Sequence, residues 1–201
     1  MEAEQAICRV EPRFAPLVAR HGPCPLPRRD RQTHFEALAR AIVFQQLAGK
    51  AATTIHGRVR AAVGTPFTPE RVLATDPDAL AAAGLSGNKR AALLDLAASV
   101  LDGRLPIRRL ARLPDDEVVE ALVEVRGIGR WTAEMFLMFR LGRPDVWPAG
   151  DLGVRKGIAV IQGLGEVPAM GAMPEIGAPF APYRSVAAWY CWRAIEPDSL
   201  D

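Results

Sequence analysis

The chain has 201 residues, 49% of them apolar, and its 25 Lys or Arg against 23 Asp or Glu leave a net charge of +2. That length holds one compact unit or two small lobes sharing a core, and the composition is that of a folded globular protein. The charge is too small to argue for nucleic acid by itself, and no apolar run reaches the roughly 18 residues that would point to a membrane span.

In chain order, residues 2–9 and 12–21 read as short helices interrupted by Pro12 and Pro16. The run His21-Gly22-Pro23-Cys24-Pro25-Leu26-Pro27 then breaks regular structure, and Arg28, Arg29 and Arg31 follow as a solvated connector or a phosphate contact. Thr33 is a good N-cap for a helix to about Leu47, with Phe35, Leu38, Ala39 and Ile42 at i, i+3, i+4 and i+7 on one buried face. Phe44-Gln45-Gln46-Leu47-Ala48-Gly49-Lys50 ends that helix and starts another over about 50–62. Thr68-Pro69 and Asp76-Pro77 each place a cap before a proline at the first helical position. Gly84 to Arg90 turns into a helix over about 88–102, with Leu93, Leu94, Ala97 and Leu101 on its inner face. Lys89 and Arg90 at its start are either a phosphate contact or a solvated helix end. Pro114 and three successive acids open the next helix.

The stretch from Val123 to Gly157 carries the densest signal. A helix ends at Val123–Val125, Arg126-Gly127-Ile128-Gly129 turns, and a second helix runs from about Arg130 to Leu141. A bend with Pro144 and Pro148 follows, and Asp151 stands before a third helix. The spacing of Gly127 and Gly129 suits a reversal with φ > 0 and a close approach of the backbone to a partner. The first amides of the following helix lack intrahelical acceptors and sit at the positive dipole end, so the turn suits one phosphate. An ordinary helix-turn-helix corner would read the same way. Residues 163–182 hold four Gly and four Pro, which excludes a long helix, and no Lys or Arg lies between Lys156 and Arg184. Pro182 to Arg193 forms the closing helix, with Ser185 able to cap it. No stretch alternates long enough for a strand, so nine to eleven helices, an all-α fold, are expected.

Cys8, Cys24 and Cys191 are scattered and odd in number, without CxxC spacing, so neither a zinc site nor an iron–sulfur cluster is expected, and free thiols suit a reducing cytoplasm. The acidic N-terminus lacks the apolar core of a signal peptide. Lys occurs only at Lys50, Lys89 and Lys156; the Arg that supplies the remaining positive charge suits bidentate phosphate contact, and a biased genome would give the same count.

Three separated strings occur in order: Phe44-x-Gln46-Leu47, then Leu122-x-x-x-x-Gly127-Ile128-Gly129-Arg130-Trp131-Thr132-Ala133, then Pro148-x-x-Asp151-Leu152-Gly153. Together with Pro182–Arg193, the chain resembles the helix-hairpin-helix (HhH-GPD) DNA glycosylases, and within them the alkylpurine, 3-methyladenine type II branch. The resemblance runs from about His34 to Gly157 and resumes at the closing helix. It implies two helical lobes with a DNA-binding cleft between them, one lobe contiguous over 34–146 and the other built from 1–33 plus 147–201. The chain has no room for the N-terminal β domain some relatives carry.

The activity implied is hydrolysis of the N-glycosidic bond of alkylated purines in duplex DNA, after the base is flipped out, as the first step of base excision repair. Asp151 is the implied catalytic carboxylate, stabilising positive charge on the sugar and orienting water; read alone, it is a simple N-cap. Trp131 stands where strand-cutting relatives have a Lys that forms a Schiff base, so a monofunctional enzyme is expected. Trp131 and Trp192 are the candidates for stacking on a cationic base, worth about 1–2 kcal/mol. Phe44 and Tyr190 stand behind them, and Met135 replaces a Tyr found in some relatives. Glu134 tunes that pocket or faces solvent. Leu47 is the implied wedge that fills the gap left in the duplex, where an unaided reading makes it core. Gln46 would meet the base opposite, and Gly127, Gly129, Arg130 and Thr132 would hold the strand. By resemblance, backbone carbonyls of Val123, Val125 and Ile128 hold a monovalent cation, Na or K. No cofactor is required, and the iron–sulfur cluster of the endonuclease III branch is not expected. The expected partner is duplex DNA with alkylated bases, bound by a monomer in the cytoplasm with the nucleoid and away from any membrane. The alternative is a helix-hairpin-helix module that binds damaged DNA without chemistry, or a bifunctional oxidised-purine glycosylase.

Overall fold

Side-chain caps at Thr33, Thr68, Asp76, Ser86 and Asp151 dictate where five of the helices start. The computed structural model describes residues 2–26 and 32–196, and among these every regular element is helical. Arg28, Arg29 and Arg31 lie outside the described residues. No helix among the described residues is long and apolar enough to cross a membrane. The chain divides into two compact units, Arg29–Phe136 and Met1–Arg28 with Leu137–Asp201.

The unit Arg29–Phe136 holds α3 to α9. Helix α3, His34–Phe44, opens with a full capping box: Thr33 Oγ1 accepts from the Glu36 N–H and Glu36 Oε2 accepts from the Thr33 N–H. The face read from the sequence, Phe35, Leu38, Ala39 and Ile42, is buried. The helix stops at Phe44 and not at Leu47. Gln45 is already non-helical with ψ 132°, and Gln46 has φ +55°. Helix α4 spans Gly49–Val63; α5, Pro69–Ala74, and α6, Pro77–Ala82, start on the expected caps Thr68 and Asp76. Helix α7 spans Gly87–Leu101 with Ser86 as its cap. Its inner face is Ala92, Leu93, Leu96 and Ala97; Leu94 is half-buried and Leu101 is 46% exposed, a correction of the expected face. Helices α8, Asp115–Val123, and α9, Arg130–Phe136, flank the glycine turn.

The other unit holds α1, Glu2–Val10, and α2, Ala15–His21, separated by a 3-10 turn at Pro12–Phe14. It resumes with a π turn at Leu137–Leu141, where the sequence reading continues an α-helix. Helices α10, Leu152–Gln162, α11, Met173–Gly177, and α12, Arg184–Ala194, complete it. Between α10 and α12 only short turns and α11 occur, as the Gly and Pro content requires. Tyr190, Phe14 and Phe180 form the aromatic core, with ring centroids 5.4 and 6.3 Å from Phe14; burying each such ring contributes about 2–3 kcal/mol. Ser185 does not cap α12. It is buried, its Oγ donates to the Arg143 carbonyl and accepts from the Val146 N–H, and Arg184 grips Asp145 with two bonds of 2.7 and 2.8 Å. These contacts pin the strand of chain that leads to Asp151.

Candidate functional site

Asp151 is reached through a tight turn in which its N–H bonds the Pro148 carbonyl at 2.9 Å. Its backbone is extended, and Oδ1 accepts the Val154 N–H at 2.8 Å, the ordinary N-cap bond of α10. The same Oδ1 also accepts the indole N–H of Trp192 at 3.0 Å. The residue is 9% exposed. The Trp192 ring is itself held, stacked on Phe139 at 5.9 Å and 24°.

The glycines of α10 explain how Trp192 reaches the carboxylate. A Cβ on Gly153 would stand 2.7 Å from Trp192 Cδ1 and 3.0 Å from Nε1, so any side chain there pushes the indole away. One turn on, a Cβ on Gly157 would land on the Cys191 carbonyl. Two glycines four residues apart lie on one helix face, and here that face admits α12 to backbone contact. The Asp-Leu-Gly string is therefore a carboxylate followed by the gap that its hydrogen-bond donor needs. The Cys191 thiol, sealed beside this contact, is pushed up by burial and then by the Asp151 charge, and it stays protonated. The spacing Gly153-x-x-x-Gly157 is the one signal of this close approach that the sequence carries.

One expected pocket residue, Tyr190, serves elsewhere, and Trp192 stands beside the carboxylate. Tyr190 does not line a pocket: it is 0% exposed, and its hydroxyl donates to the Gly22 carbonyl at 2.7 Å within the core. Trp192 is committed to Asp151 and Phe139, which makes it a holder of the carboxylate.

In the other unit, the turn between α8 and α9 is closed by the Ile128 N–H on the Val125 carbonyl at 3.0 Å. Gly127 has φ +78°, and a Cβ there would meet the Ala92 Cβ at 2.9 Å, so glycine is required twice over. Gly129 corrects the expectation: its φ lies outside the left-handed region and a Cβ there would meet nothing within 4 Å. What Gly129 leaves is open space at the residue that precedes α9. Arg130 is exposed and pairs with Glu134 at 3.2 Å, which places Glu134 largely buried beneath it. Thr132 is buried, so its side chain is not a surface contact.

Trp131 is 50% exposed on the first turn of α9, and Met135, four residues on, lies half-buried on the same side. Phe44 is not an open stacking platform. The Arg40 guanidinium lies over its ring at 4.0 Å and His56 meets it edge-on. Burial, then the charges of Arg40 and Arg60, push the His56 pKa down and keep that imidazole neutral. Leu47 is 37% exposed on the corner between α3 and α4, beside the exposed Gln46, and takes no part in the core. Lys89, expected to meet a phosphate or solvent, instead donates from Nζ to the carbonyls of Val43 and Gln45 at 2.7 and 2.6 Å.

The carbonyls of Val123, Val125 and Ile128 are neutral oxygen donors of the kind a hard monovalent cation takes. The Val125 carbonyl accepts one N–H bond and retains a lone pair, so the donor set fits such an ion. Among the described residues no group of three or more His, Cys, Asp or Glu could hold a metal ion.

Residues 39–178 match the family described as HhH-GPD superfamily base excision DNA repair protein. DNA-3-methyladenine glycosylase 1 of Schizosaccharomyces pombe is 36% identical over 170 residues, 83% of this chain and 75% of that protein. Among solved structures, the S. pombe 3-methyladenine DNA glycosylase Mag1 in complex with abasic DNA has a TM-score of 0.81 and 33% identity, covering 96% of both chains. A DNA-3-methyladenine glycosidase from Bacillus halodurans has a TM-score of 0.86 and 35% identity, covering 96% of this chain and 89% of its own.

Proposed function

The chain belongs to the HhH-GPD superfamily of base excision DNA repair proteins, and from that premise we propose that it is a monofunctional DNA glycosylase releasing alkylated purines from duplex DNA. The observation that carries the reading is the double hold on Asp151 Oδ1, by the Val154 amide and the Trp192 indole. A cap alone needs one donor. A carboxylate that must face a reacting sugar in a fixed pose gains from two, because preorganised charge loses nothing to reorganisation during the reaction.

The chemistry follows from the substrate. A purine methylated at N3 or N7 is cationic, and as the bond to C1′ breaks the electron pair leaves with the base, which departs neutral. Positive charge moves to the sugar, where the Asp151 carboxylate stabilises it. Water then adds at C1′ and gives up a proton, leaving a free base and an abasic site. The half-exposed Trp131 offers an aromatic face to the cationic base and no amine to attack the sugar. The exposed corner at Leu47 supports the wedge, and the turn at Gly127–Gly129 supports a grip on the backbone. The S. pombe relative's complex contains abasic DNA, the class of product this reaction leaves. The protein acts on DNA as a monomer, and the carbonyls of Val123, Val125 and Ile128 hold K⁺ or Na⁺. That ion should raise the melting temperature in KCl over tetramethylammonium chloride at equal ionic strength; equal melting in both removes it from the account.

The test is release of 3-methyladenine and 7-methylguanine from alkylated duplex by wild type and Asp151→Asn. The expected result is loss of release by about 100-fold or more with DNA binding retained, and no borohydride-trapped adduct from either protein. Equal release removes Asp151 from the catalysis, and release from neither leaves a DNA-binding module without chemistry. A trapped adduct defeats the argument from Trp131.

A further inference from the structure

One face of α7 reaches both DNA-directed features of the unit Arg29–Phe136. At its start, Lys89 Nζ donates to the carbonyls of Val43 and Gln45 at 2.7 and 2.6 Å. These lie at the C-terminal end of α3, where carbonyls have no intrahelical donor and the dipole favours a cation. Three residues on, the Ala92 Cβ stands under Gly127. Three further on, Asp95 Oδ2 accepts the Arg126 N–H at 2.8 Å, while Oδ1 faces Arg104 at 3.5 Å. Lys89, Ala92 and Asp95 share one side of a helix and span about 9 Å of its axis.

The loop is closed from the other side. The Gln45 side-chain amide donates to the Gly127 carbonyl at 2.8 Å, so the corner and the glycine turn are tied to each other as well as to α7. The corner needs such support, because Gln46 is a non-glycine residue with φ +55°, a conformation that costs about 1 kcal/mol or more. The choice of Lys is informative in a chain that carries only three: a compact ammonium can reach two converging carbonyls, which the flat fork of Arg does not match.

We propose that Lys89 is a positioning residue for the damage-probing step: it sets the depth and direction of Leu47, and the α7 face Lys89–Ala92–Asp95 fixes the spacing between what enters the duplex and what grips its backbone. The proposal rests on the glycosylase reading above and adds the residue that aims the wedge.

The experiment compares single-turnover release from a fully paired lesion and from the same lesion in a single strand, where no gap has to be filled. The proteins are wild type, Lys89→Met, Lys89→Arg, Leu47→Ala and the double variant Lys89→Met/Leu47→Ala, each with its thermal unfolding recorded. Lys89→Met should lose about tenfold on the paired lesion and little on the single strand. In the Leu47→Ala background the same change should add nothing, because there is no wedge left to aim. Lys89→Arg keeps a charge, gives a folded protein for comparison if Lys89→Met unfolds, and should show the same duplex-selective loss. Losses equal on both substrates, losses that add in the double variant, or wild-type release from both Lys89 variants overturn the proposal. Absence of release by wild type on either substrate would instead bring down the glycosylase reading itself.

Discussion

An N-cap aspartate completes its structural work with one amide, and Asp151 has that amide in Val154. The indole of Trp192 is surplus to capping, which makes it the point where structure and catalysis separate. Trp192→Phe removes the N–H but preserves an aromatic ring to stack on Phe139. A hydrogen bond to a charged group is worth about 1.5–3 kcal/mol. If it steadies the reacting carboxylate, release under single-turnover conditions should fall by about 10- to 100-fold, with the melting temperature only slightly lowered because the cap remains. A variant that melts early and yet releases base at the wild-type rate would show the indole to be packing alone. The sequence made Trp192 visible as an aromatic near the site; it could not show where the N–H points, because that depends on a partner 41 residues away.

At the scale of elements, what could be read in advance was what the chain determines locally. The caps at Thr33, Thr68 and Asp76 began helices where expected, since a side-chain oxygen and an amide two or three residues on are all the device needs. The misses have long-range causes. Helix α3 stops at Phe44 where Lys89 takes its last carbonyls, a contact across more than forty residues. Ser185 looks like a cap, but the chain at Arg143 and Val146 claims its hydroxyl. The π turn at Leu137–Leu141 follows an apolar run that reads equally well as α-helix. The two glycines of the hairpin look alike in sequence, and only the backbone shows that Gly127 takes a positive φ against Ala92 and Gly129 does not. The candidate site divides the same way: the motifs single out Asp151, Leu47 and Trp131 as candidates, whereas the partners that Lys89, Asp95 and Phe139 take, and the Gly153/Gly157 face, depend on contacts far along the chain.

At the scale of the molecule, the carboxylate and its holder belong to one compact unit, and the glycine turn and wedge corner belong to the other. The two groups perform different steps. Asp151 and Trp192 act on the sugar once the nucleotide is out, while Gly127 and Leu47 act on holding and opening the duplex. Gly127→Ala forces φ +78° on a residue with a Cβ and drives that Cβ into Ala92, so it should weaken DNA binding by about 1–2 kcal/mol and leave the rate at saturating protein nearly unchanged. Trp192→Phe should do the reverse. Because the steps are separate, the double variant Gly127→Ala/Trp192→Phe should lose, at subsaturating protein, the sum of the two single losses to within about 0.5 kcal/mol. Rates measured across a range of protein concentrations give both quantities from one data set. A double variant no worse than its weaker parent, or a Gly127→Ala protein that binds normally and reacts slowly at saturation, would mean that the turn shapes the reacting geometry and that the division of labour between the units does not exist.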